Sequence, residues 1–141
     1  MLKSDSGNAG LIFRTTEPGP EDDQMRGYYV GFDTKTLHLG KIENNWQPLA
    51  AFDLEQLDCK VVPGVWNQIR IAAEGARIRV WFDRMHPSAD KDHGLRIDFT
   101  DPAPILSGAI GMRTHRVPAW YDTVVVLPID TLPRPTVGDR Q

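Results

Sequence analysis

Residues 66–83 read WNQIRIAAEGARIRVWFD. Apolar side chains alternate with polar ones on both sides of Glu74-Gly75-Ala76, which is a turn signal. A period of two is the pattern of a β-strand that has one buried and one solvated face. Trp81 falls on the solvated face of the second strand. The stretch therefore predicts an antiparallel hairpin that contributes one face to a hydrophobic core.

The same period recurs along most of the chain, with frequent turn signals between the runs. About nine short strands of this kind predict an all-β protein of two packed antiparallel sheets. Only Asp53–Leu57 suits a helical turn, and the run Tyr121–Leu127 is apolar nearly throughout, so its facing stays open. The predicted core includes Ile69, Ile71, Ile78, Val80, Phe82, Ile97 and Ile110.

Composition narrows the classes of partner. The chain has 141 residues, 40% of them hydrophobic, which suits one domain with a substantial core. Its net charge of −3, without a basic tract, argues against nucleic acid or an anionic membrane as the main partner.

Cys59 is the single cysteine, so no internal disulfide is expected. No signal peptide or membrane span is predicted, because the polar Met1–Gly7 lacks an apolar region and no apolar run is long enough.

Several glycine-flanked strands carry a family resemblance. They are AGLIFR (9–14), GYYVGFD (27–33), LHLGKI (37–42), SGAIGMRT (107–114) and AWYDTVVVLP (119–128). In this order they resemble the concanavalin A-like lectin/glucanase superfamily. Two branches are most similar: the family 66 carbohydrate-binding modules of fructan-degrading enzymes and the domain of 3-keto-disaccharide hydrolases.

The resemblance implies a concanavalin A-like jelly-roll sandwich of two antiparallel sheets over residues 7–128. Residues 1–6 are then an N-terminal polar stub, and residues 129–141 are a C-terminal tail or linker. Related modules usually begin with a further strand before the one that corresponds to GLIFR. Only a few polar residues precede it here, so this strand is missing, replaced, or supplied by sequence elsewhere.

No acid pair of the glucanase kind is present. That branch uses Glu-x-Asp-x-Glu on one strand, because alternation places all the carboxyl groups on one face, where they flank the glycosidic bond. Asp53-x-Glu55 is the nearest pattern, and Leu57 occupies its third position. No catalytic residue is therefore predicted.

A sugar site needs an aromatic platform and polar partners for hydroxyl groups. Alternation predicts that Tyr29, Asp33 and His38 share an outer face, joined by arginines at the ends of two glycine-flanked strands. An ion pair of Arg14 with an acid such as Asp33 is the alternative for that arginine. Trp46 lies in the loop-like segment NNWQP, where sugar contact and packing both remain open. The candidate ligand-binding residues are Arg14, Tyr29, Asp33, His38, Trp46, Arg113 and Trp120.

One residue is a candidate metal ligand. The resemblance implies a structural calcium ion held by an aspartate at the position of Asp122 and by carbonyl groups near the chain start. Calcium requires six to eight oxygen ligands. The start of this chain is where it departs from the family pattern.

The leading interpretation is a non-catalytic carbohydrate-binding module that positions an attached or partner catalytic domain on a poly- or oligosaccharide. The alternatives are a hydrolase domain acting on disaccharide-like substrates and a structural sandwich that packs against a catalytic domain. A secreted or periplasmic location is expected if the chain is part of a longer protein. The sequence leaves open the sugar and the oligomeric state.

Overall fold

The computed structural model describes residues 1–16, 25–56, 61–84 and 94–129. Cys59 and all but the first residue of the tail predicted for 129–141 lie outside the described residues.

Antiparallel pairing joins the strands into two sheets, of five strands in the order β4-β3-β2-β1-β8 and of three in the order β5-β6-β7. This confirms the predicted all-β sandwich. A 3-10 turn, Leu54–Gln56, lies within the segment predicted to hold a helical turn. The strands are β1 Asn8–Thr16, β2 Arg26–Phe32, β3 Thr36–Glu43, β4 Trp46–Asp53, β5 Asn67–Glu74, β6 Arg77–Arg84, β7 Leu95–Thr100 and β8 Ala109–His115.

The predicted hairpin forms β5 and β6. Glu74 pairs with Arg77, and Gly75 in the turn between them has a φ of +56°, which a residue without a Cβ adopts readily. Ile78 and Val80 are fully buried, while Ile69 and Ile71 are half-buried against the core. The hairpin therefore supplies one wall of the sandwich.

The core lies between the sheets. Tyr28, Val30 and Phe32 of β2 face Val80 and Phe82 of β6 across it, and the Phe32 and Phe82 rings are 4.9 Å apart. The prediction that Ile110 is buried is wrong, because its exposed fraction is 49%. Ile110 lies on β8, the outermost strand of the larger sheet, and the opposing sheet has too few strands to cover it.

The N-terminal segment is part of the domain. Leu2 is buried and forms a β-bridge with Ala119, while Lys3 N–H donates to the Pro118 carbonyl at 3.1 Å. This short pairing attaches residues 1–6 to the sandwich. By contrast, the run predicted as a last strand makes no ladder, and Val124–Leu127 is exposed.

Candidate ligand-binding face

The outer face of the five-stranded sheet is the face turned away from the second sheet. Alternation places Tyr28, Val30 and Phe32 in the core, so Tyr29 and Gly31 point outward. Strand pairing sets Gly40 opposite Tyr29 and His38 opposite Gly31. Glycines at these positions leave space that neighbouring side chains fill.

Trp46 lies flat on Gly40. A Cβ on Gly40 would stand 2.0 Å from the indole ring, so only glycine lets the ring rest on the sheet. The exposed fraction of Trp46 is 39%, and its ring meets the Tyr29 ring edge-on at 5.9 Å. Trp46 begins β4 instead of lying in a loop as the sequence suggested. Its position offers an aromatic surface to a ligand.

Tyr29 packs beside Trp46. A Cβ on Gly31 would meet the Tyr29 hydroxyl at 2.0 Å, which places the phenol over that glycine. The hydroxyl donates a hydrogen bond to Asn8 Oδ1 at 2.6 Å, and the Arg113 guanidinium lies 5.3 Å from the ring centroid. Burial raises the pKa of Tyr29 well above its ordinary value. Tyr29 is 4% exposed, so it fixes the platform more than it offers a surface.

Asp33 and His38 form a polar pair at the end of the same face. Asp33 Oδ1 accepts hydrogen bonds from the backbone N–H groups of Lys35 and Thr36, both at 2.7 Å. The other oxygen, Oδ2, lies 3.4 Å from Nε2 of His38. The turn after Asp33 thus fixes a carboxylate beside an imidazole.

A shallow groove of about 240 Å³ runs beside Trp46. The groove is lined by His38, Leu39, Trp46, Pro48, Leu49, Ala50 and Ala51. Strand pairing places Pro48 beside Gly40 and Ala51 beside His38. The groove thus has a mostly apolar wall, with an imidazole on its lining.

Arg14 is separated from this face. It lies at a β-bulge in β1 with a φ of +50°, and its guanidinium bonds to carbonyl oxygens of the β5–β6 hairpin and of the segment between β7 and β8. The donors reach Gly75 at 2.7 Å, Ile105 at 2.9 Å and Ala73 at 3.1 Å. Neither the expected outer-face placement nor an ion pair with Asp33 is found. Arg14 links the two sheets.

Trp120 is placed with the N-terminal segment. Its ring lies 5.0 Å from the Lys3 ammonium, and its backbone N–H bonds to the Met1 carbonyl at 2.9 Å. Sequence reasoning predicts it at the rim of the site. No contact in the described part of the chain joins it to the groove.

Asp122 is the candidate calcium ligand. Its side chain is exposed and its Oδ1 accepts a hydrogen bond from Thr123 at 3.4 Å. Within residues 1–16, 25–56, 61–84 and 94–129, no three His, Cys, Asp or Glu side chains come together as a metal site. A calcium ion held by Asp122 and backbone carbonyl groups stays a prediction, since the expected carbonyl ligands are not side chains.

Trp81 faces outward from the second sheet, as its alternation predicts, and is nevertheless buried. The guanidinium groups of Arg70 and Arg79 lie 4.1 and 5.4 Å from its ring centroid. These arginines cover the indole, so Trp81 offers no open platform comparable with Trp46.

The structure is a β-sandwich domain whose larger sheet carries a shallow groove beside a partly exposed tryptophan. A family model of the 3-keto-alpha-glucoside-1,2-lyase-like domain matches residues 1–127. The chain belongs to that family. A comparison with curated proteins gives no match. In the described residues, no helix is long and apolar enough to cross a membrane.

One solved structure has a similar fold, the carbohydrate-binding module CBM66 from Bacillus subtilis. The TM-score is 0.53 at 20% sequence identity, and the match covers 81% of this chain. The chain spans 60% of the length of that structure. At this identity the likeness shows the fold.

Sequence reasoning missed three residues that shape the site. Asn8 holds the Tyr29 hydroxyl, Gly40 seats Trp46, and Pro48 lines the groove. Gly40 had a signal, since a glycine inside a strand marks close approach of another group. The sequence carried no such signal for Asn8 or Pro48, because their roles depend on which strands become neighbours in the sheet.

Proposed function

We propose that this domain binds a carbohydrate in the groove beside Trp46 on the outer face of the five-stranded sheet. Sugars have apolar ring faces that stack on aromatic side chains, and hydroxyl groups that require polar partners. The outer face supplies both within one row of neighbouring strands.

The observation that carries this proposal is the seating of Trp46. The indole lies on Gly40, contacts Tyr29 edge-on, and remains 39% exposed. An exposed aromatic ring ordinarily loses side-chain entropy when it binds a ligand. A ring already held on the sheet avoids part of that cost, so the platform is prepared for stacking.

Polar groups flank the platform. The His38 imidazole lines the groove and is held by Asp33, while Arg113 lies over the Tyr29 ring. Imidazole and guanidinium groups donate hydrogen bonds to hydroxyl oxygens. The ligand-binding set that the geometry supports is therefore Trp46, His38 and Asp33, with Tyr29 beside Trp46 and Arg113 over the Tyr29 ring.

Two comparisons support a sugar ligand. The family name refers to a keto-glucoside, and the structure of similar fold is that of a carbohydrate-binding module. In such a role the domain would hold an attached or partner catalytic domain on a poly- or oligosaccharide, in a secreted or periplasmic setting.

A second candidate function is catalysis on a keto-sugar. It is favoured by one observation, the His38–Asp33 pair on the groove, since a carboxylate-oriented imidazole is a common proton-transfer device. Catalysis would take place in the same groove and would require a sugar to bind there. Sugar binding is therefore tested first.

Calorimetric titration with oligosaccharides and with a 3-keto-glucoside tests the proposal. We expect saturable binding by the unmodified protein and a roughly tenfold or greater loss in Trp46→Ala, since stacking and burial of an aromatic ring exceed ~1.4 kcal/mol. Trp66→Ala is the matched control, because Trp66 is similarly exposed, at 38%, and is outside the groove. Equal losses in both variants, or no binding at all, would contradict the proposal.

A further inference from the structure

We propose that two copies of this chain associate through the free edge of β8, as an antiparallel β8–β8 pair centred on Gly111. The pair joins the two larger sheets into one continuous sheet. This surface lies away from the groove, and the dimer does not depend on the proposed sugar function.

The first support is an unprotected sheet edge. β8 is an outermost strand of the larger sheet, and within the described residues it pairs with β1 alone. Edge strands present unpaired N–H and C=O groups, and proteins ordinarily protect them with proline, charged side chains or bulges. The opposite edge, β4, contains Pro48 and a bulge in its pairing with β3. By contrast, residues 109–112 of β8 include neither a proline nor a charged residue.

Hydrogen bonds indicate which backbone groups of β8 face the free edge. The Ala109 carbonyl accepts from a threonine hydroxyl of β1 at 3.1 Å. The Arg113 carbonyl accepts at 2.8 Å from the Tyr121 hydroxyl, which lies between β1 and β8. Both carbonyl groups therefore point toward β1. Because backbone groups alternate in direction along a strand, those of Ile110 and Met112 point to the free edge.

The second support is apolar surface beside that edge. Met112 pairs with Leu11, which pairs with the core residue Val30, so Met112 and Ile110 face inward. They are nevertheless 57% and 49% exposed, because the smaller sheet has too few strands to cover β8. Exposed apolar surface of this kind marks an interaction site. Residues 105–112 carry no charge, so a second copy with the same net charge of −3 meets no like charge along them.

The third support is the register, which is self-complementary. Pairing centred on Gly111 places Ile110 of each copy opposite Met112 of the other, so the edge-facing backbone groups of these residues exchange hydrogen bonds. The two side chains form an apolar cross-strand pair, which stabilises a sheet. Arg113 lies opposite the small Ala109 and not opposite a second arginine. These matches favour a second copy of the chain over a different protein.

The dimer leaves both grooves open. Strand order places β4 and the Trp46 groove at the edge opposite β8. The twofold axis of an antiparallel pair is perpendicular to the sheet, so both grooves lie on the same side, separated by roughly 35 Å at the usual strand spacing. A glycan that spans this distance engages two sites at once, which raises its apparent affinity. This consequence alone rests on the proposed sugar function.

Analytical ultracentrifugation over a range of protein concentrations measures the oligomeric state. We expect the unmodified protein to form dimers that dissociate on dilution. Met112→Lys places an ammonium group opposite Ile110 of the other copy, so the dissociation constant should rise about 100-fold or more, because an unpaired charge is buried. Val62→Lys is the matched control, since Val62 is 44% exposed and lies before β5. Both variants should keep the melting temperature of the dissociated unmodified protein, because both side chains are exposed in the single copy.

Cysteine cross-linking tests the register, in a Cys59→Ser background. The backbone groups of Gly111 face β1, so the two Gly111 residues form a pair without hydrogen bonds, in which the Cα atoms are about 4.5 Å apart and a disulfide can form. We expect Gly111→Cys to give a covalent dimer under mild oxidation. Ala109→Cys lies opposite Arg113 of the other copy and is expected to give none.

Three results would overturn the proposed dimer. They are a monomer at all concentrations, an unchanged dissociation constant in folded Met112→Lys, and cross-linking of Ala109→Cys in place of Gly111→Cys. A monomer would leave the edge of β8 to a strand from a different protein.

The consequence for sugar binding is measured separately. A polysaccharide should bind the unmodified dimer more tightly than Met112→Lys, while an oligosaccharide too short to span both grooves should bind the two proteins equally. Equal affinities for the polysaccharide would contradict bivalent binding and leave the dimer standing. Absence of any sugar binding would contradict the proposed function and leave the dimer standing as well.

Discussion

Glycines determine where aromatic and aliphatic side chains lie on the outer face. Tyr29 rests over Gly31 and Trp46 over Gly40, while Ile12 approaches Gly111, where an added Cβ would lie 3.1 Å from its side chain. Each glycine removes a side chain from the sheet and lets a neighbour lie against the backbone. The groove is a consequence of this pattern.

Gly40→Ala tests the seating of Trp46. The added Cβ would overlap the indole, so the ring should swing off the sheet, and we expect a fall in sugar affinity comparable to that of Trp46→Ala. Titration of both single variants and the double variant checks this. The losses should be strongly non-additive, because both changes remove the same platform. Additive losses would contradict a shared mechanism.

Arg14 is held in a strained conformation by the bonds its guanidinium makes. A φ of +50° is costly for a residue with a Cβ, and three carbonyl oxygens, from the β5–β6 hairpin and the segment before β8, bind the charged group. Gly108 packs against this bulge, since a Cβ there would lie 2.4 Å from the Arg14 carbonyl carbon. The bulge therefore depends on both residues.

We expect Arg14→Ala to destabilise the fold while leaving sugar affinity nearly unchanged in the folded protein. Hydrogen bonds to a charged group contribute about 1.5–3 kcal/mol each, and loss of this one side chain removes all three bonds. Urea denaturation measures the free energy of unfolding, and titration at low temperature measures affinity. If the variant unfolds with unchanged free energy but binds sugar more weakly, the prediction is wrong and Arg14 belongs to the ligand-binding residues.

Alternation predicted the facing of Tyr29 and His38 because β2 and β3 are regular strands. It failed for Arg14 because a bulge adds a residue to one strand, which reverses the facing of the residues after it. The seating of Trp46 was not predictable either. The Trp46 ring extends from β4 over β3, and local periodicity does not predict which strands become neighbours in a sheet.

At the level of strands and loops, a buried polar network joins β2 and β3 to the segment after β7. Tyr28 donates to Asp101 at 2.7 Å and accepts from the Ile105 N–H at 2.9 Å. Lys41 forms an ion pair with Asp101 at 2.9 Å and donates to the Ala103 carbonyl. Lys41 and Asp101 are both almost fully buried. The network satisfies each charge and fixes the chain that leads to β8.

The network predicts a loss of stability in acid. Burial pushes the pKa of Asp101 upward, but hydrogen bonds from Tyr28, Ala103 and Lys41 outweigh it, so the folded pKa is lowered. A lowered folded pKa gives stability that is present above the unfolded value of about 3.9 and lost as pH falls through the folded value. Urea midpoints below pH 4 should fall less in Asp101→Asn than in the unmodified protein. Parallel pH profiles would contradict the assignment.

The same network predicts a loss of stability in alkali. Burial, followed by the hydrogen bond to Asp101, raises the pKa of Tyr28 to about 12. Its contribution is complete below the unfolded value of about 10 and is lost as pH rises toward the folded value. Tyr28→Phe should therefore show a shallower decline in the free energy of unfolding above pH 10. An unchanged slope would show that Tyr29 and Tyr121, whose pKa values are also raised by burial, account for the decline.

Strands with strict alternation and a clear turn were predictable, and the β5–β6 hairpin is the best case. The run Tyr121–Leu127 was not, because a continuous apolar stretch does not reveal whether a partner strand exists. In this run, side-chain hydrogen bonds of Tyr121 take the place of backbone pairing with a neighbouring strand. Its hydroxyl accepts from the Gly10 N–H at 3.1 Å and lies 2.8 Å from the Arg113 carbonyl, between β1 and β8.

Across the whole molecule, the two sheets are unequal in strand number and in surface chemistry. The outer face of the larger sheet carries the groove, the seated indole and the His38–Asp33 pair. The outer face of the smaller sheet carries Trp81 beneath arginines. The proposed sugar site therefore lies on one of the two outer faces, and the composition of the chain does not indicate which one.

A crystal structure of the protein with a bound oligosaccharide or keto-glucoside tests this assignment most directly. The account predicts a sugar ring stacked on the Trp46 indole, within hydrogen-bond distance of His38, with Arg14 still bonded to the carbonyl oxygens of Ala73, Gly75 and Ile105. A sugar bound on the smaller sheet near Trp81, or beside Trp120 with the Trp46 groove empty, would contradict it.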